Sequence, residues 1–285
     1  MQDYQTLISA ATLAEEIDNP VLRIVDCRFN LLHPGAGRQS YLEAHIPGAV
    51  YAHLDDDLAA PITRESGRHP LPDPTELAAF FGRIGIARTM QVVVYDDASG
   101  AIAARAWWLL RWLGHSRVAV LDGGFAQWQK LGLRLESGAT DPEPKEFLGE
   151  TQPERVLETA EVVAGIASPT RLPLVDARDA ARFRGEQEPI DAVAGHIPGA
   201  TNLPCSRNIG QDGLWKDSTE LRQMWSETVP EALRAPFGVM CGSGVTACQL
   251  VLSSLVAGID EPKVYIGSWS EWIRDRERPV VREMA

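Results

Sequence analysis

At 285 residues the chain exceeds the usual size of one domain and can bury a substantial core. Its 45% hydrophobic and 23% charged residues are those of an ordinary globular protein, which excludes a disordered or fibrous chain. A net charge of -12 and a pI near 5.0 oppose general association with nucleic acid or an anionic membrane surface, because the long-range field repels phosphate, although a local basic pocket is still allowed. The N-terminus has no basic region followed by an apolar stretch, and no later run approaches the roughly 18 apolar residues of a membrane span, so the cytoplasm is the expected compartment. Four cysteines, Cys27, Cys205, Cys241 and Cys248, are too few for a disulfide framework and show no Cys-x-x-Cys spacing; they read as thiols.

In chain order, the first β-rich apolar run is Leu22 to Val25, followed by Gln91 to Tyr95, a helical pattern over Ala101 to Leu113, and a third run at Val118 to Leu121. Glu136 to Arg155 then collects Ser137-Gly138, Pro142, Pro144 and Pro153 with little apolar periodicity, which marks an ordered or semi-extended linker. Beyond it come Leu174-Val175, Phe237 to Met240, a helical pattern over Val245 to Ala257, and Val264 to Ile266. The second series repeats the first. Val25-Asp26-Cys27-Arg28 returns as Val175-Asp176-Ala177-Arg178, and His45-Ile46-Pro47-Gly48-Ala49 returns as His196-Ile197-Pro198-Gly199-Ala200. The segment ending at Asp96 matches the one ending at Cys241, and Leu121 to Trp128 matches Tyr265 to Trp272. Four collinear matches indicate duplication. The chain is therefore expected to be α/β, with tandem duplicated domains over 1–138 and 156–285 joined by a linker over 139–155, each domain a mostly parallel sheet flanked by helices. His45 and His196 recur in both halves, which favours turn roles for them over catalysis.

Cys241 stands out among the thiols. A buried run ends at it, a Gly-rich turn follows, and a helix begins directly after, which places its sulfur at the carboxyl edge of a parallel sheet. Gly242 and Gly244 let successive backbone N–H groups turn inward above the helix N-terminus, a cradle that would hold a thiolate or a persulfide anion. The same loop could instead be a tight turn beside a small buried hydrophobe. Cys27, Cys205 and Cys248 lack such a loop and read as structural. In the first half Asp96 takes the place of Cys241, so only the second domain is expected to be catalytic.

The duplication, both His-Ile-Pro-Gly-Ala segments and the loop Cys241-Gly242-Ser243-Gly244-Val245-Thr246-Ala247 resemble the two-domain rhodanese family, and within it the 3-mercaptopyruvate sulfurtransferases, over nearly the whole chain. The resemblance implies transfer of sulfur from a small-molecule donor to Cys241 and onward to cyanide or a thiol, with a thioredoxin-like reductant among the candidate acceptors. Thiosulfate sulfurtransferases of this kind carry basic residues at the two positions after the cysteine; Gly242 and Ser243 are neutral, which suits a monoanionic 2-oxo acid better than a dianion. The family relay maps onto Ser243, His69 and Asp55, the first domain contributing the last two, with Asp56 and Asp57 as neighbouring choices for the acid. Gly242, Gly244, Val245 and Thr246 would bind the transferred group together with Arg182, whose planar fork suits a carboxylate; Arg184 is the fallback. A second family arginine would fall at Ile190, where it is missing, and Ile266 replaces an acidic residue that Asp122 keeps in the first half.

Two rival readings carry over. A phosphatase would want an arginine closing the loop about six residues after the cysteine, whereas position 247 is alanine. A noncatalytic sulfur-carrier or binding module would keep the fold without turnover. No ligand cluster or phosphate-loop lysine calls for a metal, flavin or nucleotide, so no cofactor is expected.

Overall fold

A computed structural model describes residues 3–166, 168 and 172–283. The chain forms two compact units: Met1–Ala60 with Leu71–Gln152 and Gly210–Trp215, and Pro61–Pro70 with Pro153–Ile209 and Lys216–Ala285. Ten residues from the first half of the chain, Pro61–Pro70, thus belong to the second unit.

The first unit runs β1 (Leu7–Ile8), α1 (Ala10–Glu15), β2 (Leu22–Asp26), α2 (Ala36–Glu43), β3 (Val50–Tyr51), α3 (Pro74–Arg83), β4 (Gln91–Tyr95), α4 (Ala103–Trp112), β5 (Val118–Leu121) and α5 (Gly124–Lys130). Its strands form one parallel sheet in the order β1-β5-β4-β2-β3. β2 and β4 pair residue for residue from Leu22↔Gln91 to Asp26↔Tyr95. Every residue of β4 is buried, as expected where both faces of a parallel sheet are covered. α4 is buried on nearly every face, with Trp107 and Trp108 inside, while α3 starts with Asp73 accepting from the Thr75 and Glu76 N–H groups and Pro74 in the first turn.

The second unit repeats the plan with β6 (Val156–Leu157), α6 (Thr159–Ile166), β7 (Leu174–Asp176), α7 (Ala180–Arg184), β8 (Thr201–Asn202), α8 (Ser218–Thr228), β9 (Gly238–Met240), α9 (Ala247–Val256), β10 (Lys263–Tyr265) and α10 (Ser268–Trp272). The order β6-β10-β9-β7-β8 is again parallel throughout. Its core gathers Leu174, Ile197, Met240, Tyr265, Trp269 and Trp272. The sequence repeat is a repeat of contacts. Arg28 pairs with Asp26 at 2.6 Å and caps the Ala44 carbonyl; Arg178 pairs with Asp176 at 2.7 Å and caps the Gly195 carbonyl. His45 Nδ1 lies 2.8 Å from the Tyr41 carbonyl, and His196 Nδ1 lies 2.8 Å from that of Phe183, so both histidines are engaged as turn fasteners.

The four two-residue strands β1, β3, β6 and β8 were not legible as runs, because two residues carry no period. The stretch from 139 to 152 contains no helix or strand, yet it is strapped to the first unit. Lys145 and Glu150 donate backbone N–H groups to Gly82 and Leu113, and Phe147 packs on Phe81 with ring centroids 5.6 Å apart. Among the described residues no helix is long and apolar enough to cross a membrane.

Candidate active site

β9 delivers Cys241 to the carboxyl end of its sheet, where the sulfur is buried at 2% exposure. The loop is stitched to the start of α10: the Cys241 N–H donates to Ser268 Oγ at 3.1 Å, Trp269 N–H donates to the Cys241 carbonyl at 3.0 Å, and Ser270 N–H donates to the Gly242 carbonyl at 2.9 Å. Gly244 has φ +75°, and a Cβ there would lie 2.4 Å from the Ile266 carbonyl oxygen, so only glycine fits the turn. Ser243 N–H points at Cys241 Sγ from 3.4 Å, and α9 begins at Ala247. Val245 is buried, and Thr246 precedes α9 with its side chain hydrogen-bonded to Cys205. An anion at Cys241 would thus meet the Ser243 N–H close to the start of α9.

His69 enters from Pro61–Pro70. This segment is fastened along α10: Arg68 N–H donates to Ser270 Oγ at 3.0 Å, Arg274 Nε donates to the Ser66 carbonyl at 3.2 Å, and a Cβ on Gly67 would lie 2.6 Å from the Gly267 carbonyl oxygen. The result is a buried pair in which His69 Nδ1 and Ser243 Oγ are hydrogen-bonded across 2.7 Å. Titratable chemistry is thereby placed two residues from the sulfur. Asp55 lies in a turn of the first unit, where burial raises its carboxyl above the usual range. Asp57 accepts the His53 N–H and Asp56 lies beside the His53 ring, so both are engaged within that turn.

Arg182, on α7, turns to the loop. Its guanidinium pairs with Glu188 at 2.7 Å and with Asp191 at 3.0 Å, and both of its terminal nitrogens would lie 3.7 Å from a methyl group placed on Gly242. Burial pushes the Glu188 carboxyl up, but the Arg182 hydrogen bonds and the Asp191 and Ile190 N–H groups hold it below its usual value. Arg184 pairs with Glu186 on the surface, and Ile190 is 43% exposed.

The other thiols are differently disposed. Burial, then the charge of Cys241, push Cys205 up to about 12. Cys248 donates to the Gly244 carbonyl at 3.3 Å inside α9, and Cys27 is fully buried and pushed well up by that burial and by Asp26. Sequence reasoning did not find Arg68, Asp191, Ser268 or Ser270 at this site. Arg68 adjoins His69 in sequence, but nothing local indicates that it approaches Gly242. Among the described residues no group of His, Cys, Asp and Glu is arranged to hold a metal ion.

The rhodanese-like domain model matches the chain twice, over 9–131 and 158–275. A Pseudomonas aeruginosa protein named as a probable 3-mercaptopyruvate sulfurtransferase is 46% identical over 276 residues, covering 96% of this chain and 97% of that protein. A thiosulfate sulfurtransferase of Bos taurus is 36% identical, covering 94% and 92% of the two chains. The crystal structure of the 3-mercaptopyruvate sulfurtransferase of Escherichia coli superposes with a TM-score of 0.81 at 34% identity, over 94% of this chain and all of that one.

Proposed function

We infer the reaction from descent and geometry together: the chain belongs to the rhodanese-like family, as two tandem copies of its domain. It is a sulfurtransferase that moves the thiol sulfur of 3-mercaptopyruvate, as the sulfane sulfur of a Cys241 persulfide, to a thiol or cyanide. The Cys241 thiolate attacks the donor sulfur, an S–S bond forms, and the C–S bond breaks with its electron pair passing to the enolate of pyruvate. His69, coupled to Ser243, supplies the proton that converts the enolate to pyruvate. In the second half-reaction cyanide or a thiolate attacks the outer sulfur and Cys241 leaves as thiolate. Asp55 is assigned the role of orienting His69 on the family resemblance alone. Arg182 binds the donor carboxylate, and the loop N–H groups of Gly242, Gly244, Val245 and Thr246 hold the persulfide. The nucleophile-bearing domain is then 156–285, joined by Pro61–Pro70 with His69, and the 1–138 domain has no nucleophile of its own because Asp96 stands where the cysteine would be.

The observation that carries this reading lies in the first unit. There the Asp96 carboxylate, at the place of Cys241, accepts N–H bonds from Ala98, Gly100, Ile102 and Ala103 at 2.7 to 2.9 Å. The outer sulfur of a cysteine persulfide is as many bonds from Cα as an aspartate oxygen. The same loop in the second unit is thus suited to holding that sulfur as an anion.

Thiosulfate is the second reading, favoured by the two guanidiniums, Arg68 and Arg182, that approach Gly242. Their charge is matched by Asp191 and Glu188, which leaves directional N–H donors without a surplus of positive charge for a dianion. Parallel steady-state kinetics decide between the donors. Mercaptopyruvate should have the higher kcat/KM, and a tenfold preference for thiosulfate, about 1.4 kcal/mol in transition-state binding, overturns the assignment. The cytoplasm and a thioredoxin-like acceptor are proposed on the sequence features and the thiol chemistry.

A further inference from the structure

We propose that Arg68 is the second carboxylate-binding group of the donor site and a determinant of donor specificity; this rests on the mercaptopyruvate reading above. The geometry centres on Asp191. Arg68 Nη1 donates to its Oδ1 at 2.6 Å and Arg182 Nη2 donates to its Oδ2 at 3.0 Å, so one buried carboxylate holds two guanidiniums side by side. Both also reach the catalytic loop. A methyl group on Gly242 would meet Arg68 Nη2 at 3.2 Å and the two terminal nitrogens of Arg182 at 3.7 Å. A ligand group resting on Gly242 is therefore within hydrogen-bond reach of both forks, and Gly242 adjoins the nucleophile.

The chemistry of the donor fits this spacing. In a 3-mercapto-2-oxo acid only the methylene and keto carbons separate the sulfur from the carboxylate, so a donor with its sulfur at Cys241 Sγ carries its carboxylate past Gly242. Arg68 has a donor to spare: its buried Nε has no hydrogen-bond partner. Asp191 thus holds Arg68 in place without using up its donors. Arg68 also explains why Ile190 is tolerated. Ile190, Arg68 and Asp191 line one cavity of about 350 Å³, so the positive group that position 190 lacks is supplied into the same space from Pro61–Pro70. Because Arg68 adjoins His69, one segment delivers both the carboxylate fork and the proton donor.

The test compares mercaptopyruvate with mercaptoacetone, which keeps the thiol and keto groups and lacks the carboxylate. Arg68→Met should lower kcat/KM for mercaptopyruvate about 10- to 100-fold, mainly through KM, as expected for a lost hydrogen bond to a charged group. Turnover of mercaptoacetone should change less than about twofold. The double variant Arg68→Met/Ile190→Arg should recover at least tenfold on mercaptopyruvate alone. If Arg68→Met does not fold, Arg68→Lys serves instead: it keeps the charge and loses the fork, and should cost about 3- to 10-fold on mercaptopyruvate only. Equal losses on both donors would show that Arg68 merely fastens its segment, and no loss on mercaptopyruvate would remove it from the site. Wild-type enzyme that does not turn over mercaptopyruvate would sink the donor reading itself, whereas wild-type turnover with an unaffected variant sinks only the role of Arg68.

Discussion

The loop after β4 and the loop after β9 are the same backbone put to two uses. Each is anchored by its neighbouring helix: Phe125 N–H donates to the Asp96 carbonyl at 2.9 Å, and Trp269 N–H donates to the Cys241 carbonyl at 3.0 Å. Each turns through positive φ at the equivalent residue, +57° at Ser99 and +75° at Gly244, and the helices that anchor them begin with Gly124 at +55° and Ser268 at +53°. In the first unit the cradle is filled from within by Asp96; burial drives this carboxyl up against four N–H bonds that pull it down. In the second it surrounds Cys241 beside the Ser243–His69 pair and two guanidiniums. The cradle is thus a property of the fold. On the proposed mechanism, catalysis depends on leaving it free for a transferable anion and on bringing a proton donor and a carboxylate fork to its mouth.

Replacing the two cradle residues should separate chemistry from stability. Cys241→Ser should reduce transfer by about 10⁴ or more, since no other side chain can form the covalent intermediate. Donor-treated wild type should gain the mass of one sulfur on Cys241; Cys205, pushed up to about 12, stays a protonated thiol near neutrality and should gain none. Mass on Cys205, or activity surviving in Cys241→Ser, would break the comparison.

His69→Ala should slow sulfur uptake from mercaptopyruvate by roughly 10² to 10⁴ while barely altering cyanide attack on a preformed persulfide, because only the first half-reaction has an enolate to protonate. Single-turnover measurement of each half-reaction tests this, and equal slowing of both would make the histidine structural.

The smallest effect is expected from Asp96→Ala, and it should appear in stability alone. Removing the carboxylate strands four N–H groups, two of them on the buried residues Gly100 and Ala103, at about 2–4 kcal/mol in urea unfolding, with sulfur transfer per folded molecule unchanged. A variant as stable as wild type would mean that water replaces the carboxylate freely, and that the first cradle does not need its internal anion.

The sequence by itself determined the α/β class and the duplication, and it singled out Cys241 as the candidate nucleophile. These are written in short-range patterns: buried β-branched runs such as Val92-Val93-Val94, paired landmarks such as Asp26-Arg28 and Asp176-Arg178, and one cysteine set between a strand, two glycines and a helix. It also named Arg182, Ser243 and His69, but only the tertiary structure joined Ser243 to His69 across 174 positions. Only the structure, too, moved Pro61–Pro70 into the second unit and set Arg68 against Asp191, 123 residues away. The reason is physical. Local periodicity records which faces are buried, whereas the meeting of two guanidiniums on one carboxylate depends on the path of an irregular segment that has no period. That path is fixed by backbone contacts such as Arg68 N–H to Ser270 Oγ and the close passage of Gly67 over Gly267, which no stretch of sequence displays.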